Sequence, residues 1–159
     1  MTDRPDDSDP RPVARPAAVQ TAAAVAQRFL EAIIWAEHLT VWEMLAPSAR
    51  EVALAGAGRR GLDAVAAERA RLGTWNETQR DALLGELVSG LRVDLAGAPL
   101  DELLIGATED RDDGRIAVEL EARSVLPDTI TAGHGWHVAR LVLVPLQVDE
   151  GWLIERIER

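Results

Sequence analysis

Two histidines three residues apart, His134-Gly-Trp-His137, are among the few side chains in this chain that could hold a metal. Paired imidazoles ligate a divalent ion when a third donor joins them, and Asp128 or His38 supplies such a donor in type. The spacing is neither that of the helical H-E-x-x-H pattern nor a known strand pair, so both rings are expected in solvent and no metal is expected. A second candidate is Val52-Ala-Leu-Ala-Gly-Ala-Gly-Arg-Arg-Gly-Leu-Asp-Ala-Val65, which carries the G-x-G-x-x-G spacing of dinucleotide sites. There, glycines let the backbone approach a pyrophosphate at a helix N-terminus. Here the preceding strand would be too short, and Thr74-Trp-Asn-Glu-Thr-Gln-Arg80 replaces the strand that should end in an acidic ribose ligand. A glycine break between helices is the expectation, and no cofactor follows from it.

The third candidate is Arg140, the one charge inside the apolar run from Val138 to Val144. A cation beside a carboxylate can run hydrolysis or isomerisation, although a strand arginine more often lies on the wetter face of its sheet. Three tryptophans add binding candidates or core. Trp35 falls four residues after Glu31, on the polar stripe of a helix, whereas Trp136 adjoins His137 and Trp152 shares the strand parity of Ile154. Trp35, Trp136, His137 and Arg140 are therefore the candidate ligand-binding or partner-binding residues. No catalytic residue is assigned.

The elements that position these residues follow from periodicity. Ala22, Val25, Ala26, Phe29, Ile33 and Ala36 recur at helical spacing, with Gln20, Gln27, Glu31 and His38 opposite them. Thr40-Val-Trp-Glu43 reads as a capping box opening a second helix that Pro47 ends, and Ser48-Ala-Arg-Glu51 reads as the same device opening a third. That third helix should break between Gly56 and Gly61 before Leu62, Val65, Ala66 and Leu72 resume. Asn76 caps a further helix with the stripe Leu84, Leu87, Val88, Leu91 and Leu95, stopped by Gly97 and Pro99.

Beyond Pro99 the period becomes that of strands. Leu103 to Thr108 and the alternating stretch from Arg115 to Val125 flank an Asp110-Arg-Asp-Asp-Gly114 turn. After a loop marked by Pro127-Asp128 and Gly133-His-Gly135, Trp136 to Val144 and Trp152 to Ile157 form a hairpin about Asp149-Glu-Gly151. The expected class is α+β, N-terminal helices packed on a four-stranded antiparallel meander.

Composition sets the outer limits. The chain has 159 residues, long enough for one domain with a real core and too short for two. Residues 1–16 hold four Pro, four Asp and three Arg and almost nothing apolar, which describes a tail, leaving 17–159 as the domain. No stretch has the basic and apolar regions of a leader, and none reaches the roughly 18 apolar residues of a membrane span, so a cytoplasmic location is expected. The net charge of -10 opposes a polyphosphate backbone, which argues against nucleic acid. Cysteine is absent, and all seventeen basic residues are Arg, a bias that reads as GC-rich coding.

This order of elements, with Phe29-Leu-Glu-Ala-Ile33, the helix end Trp42-Glu-Met-Leu-Ala-Pro47 and the closing Gly151-Trp-Leu-Ile-Glu-Arg-Ile157, resembles the NTF2-like (cystatin-like α+β cone) superfamily, in its helices-first form. The resemblance covers about residues 17 to 158, with a longer helical insert from Arg50 to Asp94 than is usual. It implies a curved sheet wrapped around helices, a cavity between them, and often a homodimer through the outer sheet face. NTF2-like enzymes such as ketosteroid isomerase pair a carboxylate base with a tyrosine-containing oxyanion hole, and this chain has no Tyr.

The functional expectation is a non-catalytic module that binds a small ligand or a protein partner through its sheet and cavity. The alternative is a cofactor-free isomerase or hydrolase acting on a small apolar substrate. A homodimer is expected because Val138, Val142 and Val144 oppose Ala139, Leu141 and Leu143 on the last strands, and helices can cover only one face.

Overall fold

A computed structural model describes residues 16–96, 98–122, 136–146 and 151–159. The expected tail lies outside the described residues except for Pro16, as do the loop 123–135, with Asp128 and His134, and the turn residues 147–150. Helices come first. They are α1 (Pro16–Ile34), α2 (His38–Met44), α3 (Pro47–Arg59), α4 (Ala64–Leu72) and α5 (Glu77–Asp94). A 3-10 turn at Leu100–Glu102 then leads into β1 (Leu103–Asp110), β2 (Ile116–Ala122), β3 (Trp136–Pro145) and β4 (Trp152–Glu158). The strands form one antiparallel sheet in the order β1-β2-β3-β4, the α+β meander that the sequence pattern implies.

α1 lies across the sheet. Ala22, Ala26, Phe29, Leu30 and Ile33 are buried against the inner-face residues Ile116, Val118, Leu120, Leu141, Leu143 and Ile154. Full burial of each large apolar side chain contributes about 1.5 to 3 kcal/mol, so this seam dominates the stability of the helix. The helix stops at Ile34, and Ala36 takes a φ of 53°, a left-handed conformation that turns it out of the stripe its spacing assigned. Arg92 of α5 then donates to the Ile33 and Ile34 carbonyls at 2.9 and 3.3 Å, closing the C-terminus of α1 from another helix.

The early helix starts differ from the expected capping boxes. α2 opens at His38 after Glu37, so Thr40 lies inside it and makes no cap. Pro47 does not end α2 but begins α3 at its first position, where a missing N–H costs nothing, and Ala46 rather than Ser48 precedes it. The glycine break is real but late. Gly56 and Gly58 lie within α3, and the chain turns at Arg60 and at Gly61, whose φ is 109°. Asp63 then caps α4 through the Ala66 amide at 2.7 Å, and Asn76 caps α5 through the Gln79 amide at 2.8 Å.

The sheet is bent by register shifts between Ile105 and Thr108, between Leu120 and Glu121, and between Val142 and Leu143. Its outer face is ionic. Arg111, Arg115 and Arg156 engage Glu155 and Glu158 there, and His137 pairs with Glu119. Val142 and Ala117, cross-strand partners outside the helix-facing core, are nonetheless buried within the single chain. Among the described residues, no helix is long and apolar enough to cross a membrane.

Candidate functional site

A cleft of about 370 Å³ lies between α3, α5 and β4. Its position follows from how α3 is anchored. The link between α2 and α3 pairs with β4, Leu45 beside Ile154 and the Ala46 amide donating to the Ile154 carbonyl at 2.7 Å. From that anchor α3 packs on β4 and α4, while α5 packs on α2 and α1. Residues of α3 and α5 thus line the gap from opposite sides.

Apolar side chains floor the gap. Phe29, Leu45, Leu83 and Ile154 are buried at its base, and Leu87, Leu91 and Ile157 are half-buried on its walls. Small residues on the walls leave the gap unfilled: Ala49, Ala53 and Gly56 on α3, and Gly90 on α5. A Cβ added at Gly90 would meet nothing within 4 Å. Glycine inside a helix costs roughly 0.5 to 1 kcal/mol relative to alanine, and at Gly90 no crowding offsets that cost.

Charges stand at the rim. Arg60, the C-cap of α3, crosses the mouth to Glu86 of α5, with its Nε and Nη2 at 3.3 and 3.2 Å from the same carboxylate oxygen. At the far end Asp94 pairs with Arg159. Glu155 is held below the ordinary carboxylate range, chiefly by its hydrogen bonds from Arg115. Arg156 donates to Glu155 and Glu158 at 2.6 and 2.9 Å.

The four residues singled out from the sequence lie elsewhere. Trp35 is 75% exposed just beyond α1, as its place on the polar stripe implied. His137 is exposed on the outer sheet face, its Nδ1 2.8 Å from Glu119 Oε1. Arg140, also on that face, is half-buried in register between Glu119 and Glu158, the wetter-face position rather than a cavity. His137 and Arg140 are thus brought together around Glu119, and Trp35 is not. Trp136 is placed by its backbone alone, opposite Ala122.

The dinucleotide candidate resolves on geometry, whereas His134 and Asp128 of the metal candidate lie outside the described residues. Gly56, Gly58 and Gly61 span the end of a helix, without the strand that a dinucleotide fingerprint requires before its first glycine. Among the described residues no group of three His, Cys, Asp or Glu could hold a metal ion. The cleft residues Arg60, Glu86 and Gly90 were not legible as a site. The one available signal was the pair of glycines, Gly85 and Gly90, inside an otherwise strong helical pattern.

Comparison with protein-family models, curated proteins and solved structures finds no match to this chain.

Proposed function

We propose that this protein is a non-catalytic α+β module, NTF2-like in type, that holds a small and largely apolar molecule in the cleft between α3, α5 and β4. One observation carries the reading: two helices that line an apolar floor from opposite sides, with Gly90 leaving open a position that alanine would occupy at a gain in helix stability. The order of helices followed by a bent antiparallel meander supports the NTF2-like assignment.

The state of the rim carboxylates favours binding over catalysis. Proton abstraction is served by a carboxylate whose basicity is raised by burial, whereas Glu155 is shifted the other way and Glu86 and Asp94 are paired with arginines. Titration with the uncharged dye Nile red tests the reading. Saturable, blue-shifted emission that octanol displaces is expected, and emission that rises without saturation contradicts a formed site.

A further inference from the structure

Taking the cleft as the binding site, as proposed above, its floor dictates an apolar body for the ligand and its mouth dictates the head. α5 lines the cleft from Leu83 to Asp94, about 16 Å of helix at ~1.5 Å per residue, and the gap is walled by two helices. A cleft that runs along one helix with an apolar floor accommodates a single alkyl chain.

The mouth is a matched pair of opposite charges. Arg60 folds back over Gly56, its Nη1 3.4 Å from where a Cβ would stand, so the guanidinium lies against a residue of the cleft wall. Both of its bonds to Glu86 run to Oε2 and are longer than the 2.7 to 2.9 Å usual for charge-assisted pairs. Among the described residues Arg60 Nη1 and Glu86 Oε1 make no hydrogen bond. The pair therefore presents uncommitted N–H groups on Arg60 and one uncommitted acceptor oxygen on Glu86. The remaining cleft guanidinium, Arg156, is held on shorter bonds to Glu155 and Glu158, and Asp94 is held by Arg159.

We propose that the Arg60–Glu86 pair selects the ligand's head group, so that the cleft takes an uncharged single-chain amphiphile ending in an amide or a similar donor–acceptor group. An amide carbonyl accepts from Arg60 while its N–H donates to Glu86, leaving both charges satisfied. A carboxylate of the same chain meets Glu86 beside its intended partner, and an ammonium meets Arg60. Each ion is disfavoured by a like charge at contact range.

Calorimetric titration of the full chain with octanamide, octanoate and octylammonium tests this. Octanamide is expected to bind at least about tenfold more tightly than either ion. In Glu86→Gln, octanoate should gain about tenfold while octylammonium does not, and in Arg60→Gln the gain should pass to octylammonium. Both side chains are more than half exposed, so neither change threatens folding. An ion that binds the unaltered protein as tightly as the amide overturns the selector, as does an order that neither substitution changes. If Nile red binds saturably and the heads are not distinguished, the selector alone fails. If Nile red and all three chains fail to bind, the cleft reading fails and the selector with it.

Discussion

Arg115, just before β2, grips Glu155 of β4 with two parallel hydrogen bonds, Nε and Nη2 each 2.7 Å from a carboxylate oxygen, although β3 lies between the two strands in the sheet. Arg111 holds Glu158 in the same forked way at 3.0 and 2.7 Å. Together they tie the outer face across the meander.

These forks make the fold sensitive to acid. The Arg111 bonds lower Glu158 from its ordinary 4.5 to about 2, and the Arg115 bonds lower Glu155. A carboxylate depressed in the folded state contributes fully above its unfolded pKa, and that contribution is lost as pH falls toward the folded one. The thermal midpoint should thus be nearly flat from about pH 7 to about 5 and fall between about 5 and 2. Glu158→Gln should start lower at neutral pH and fall less steeply across that window. Parallel curves for the two proteins would show that Glu158 carries none of the acid response.

The tryptophans should separate sharply. Trp42 is 5% exposed, its ring 5.3 Å from that of Trp75 and stacked under Arg50 at 5.5 Å. Trp42→Ala is expected to cost about 3 to 5 kcal/mol in urea denaturation. Trp152 shares the face of Ile154 but is only half-buried, so Trp152→Ala should cost less than Trp42→Ala. Trp35→Ala should stay within about 0.5 kcal/mol of the unaltered protein.

Helix ends closed from a distance give a further test. Arg92 serves the α1 carbonyls, and Arg50 serves those of Trp42 and Glu43 near the end of α2. Arg92→Ala is expected to lower stability by about 1 to 2 kcal/mol, since it removes charged donors from a helix C-terminus. Arg92→Lys should recover only part of it, because an ammonium cannot set two nitrogens on the Ile33 carbonyl as Nε and Nη2 do. Full recovery by lysine would reduce the contact to a point charge.

Periodicity made the main elements legible. The stripe of Phe29 and Ile33, the Asn76 cap and the alternation from Ile116 to Ala122 each reflect one local rule, and each lies where that rule puts it. The misplaced starts of α2 and α3 have a tertiary cause. The left-handed Ala36 and the pairing of Ala46 with Ile154 fix where those helices begin, and a capping motif such as Thr40 to Glu43 is overridden. The arginine bias read as a coding effect, yet forks such as Arg111, Arg115 and Arg71 on Glu51 use a geometry lysine lacks. The cleft was hidden for another reason. It forms between α3 and α5, residues far apart in the chain, and only the glycines at positions 85 and 90 mark it locally.

Gly90→Leu tests the central claim most directly. No heavy atom stands within 4 Å of the new Cβ, the side chain enters the cleft, and removal of a helix glycine favours folding by about 0.5 to 1 kcal/mol. Thermal denaturation and Nile red titration on the same sample should give an unchanged or raised midpoint together with at least about a tenfold loss of dye affinity. Undiminished dye affinity in a stably folded Gly90→Leu protein would place binding elsewhere and contradict the account.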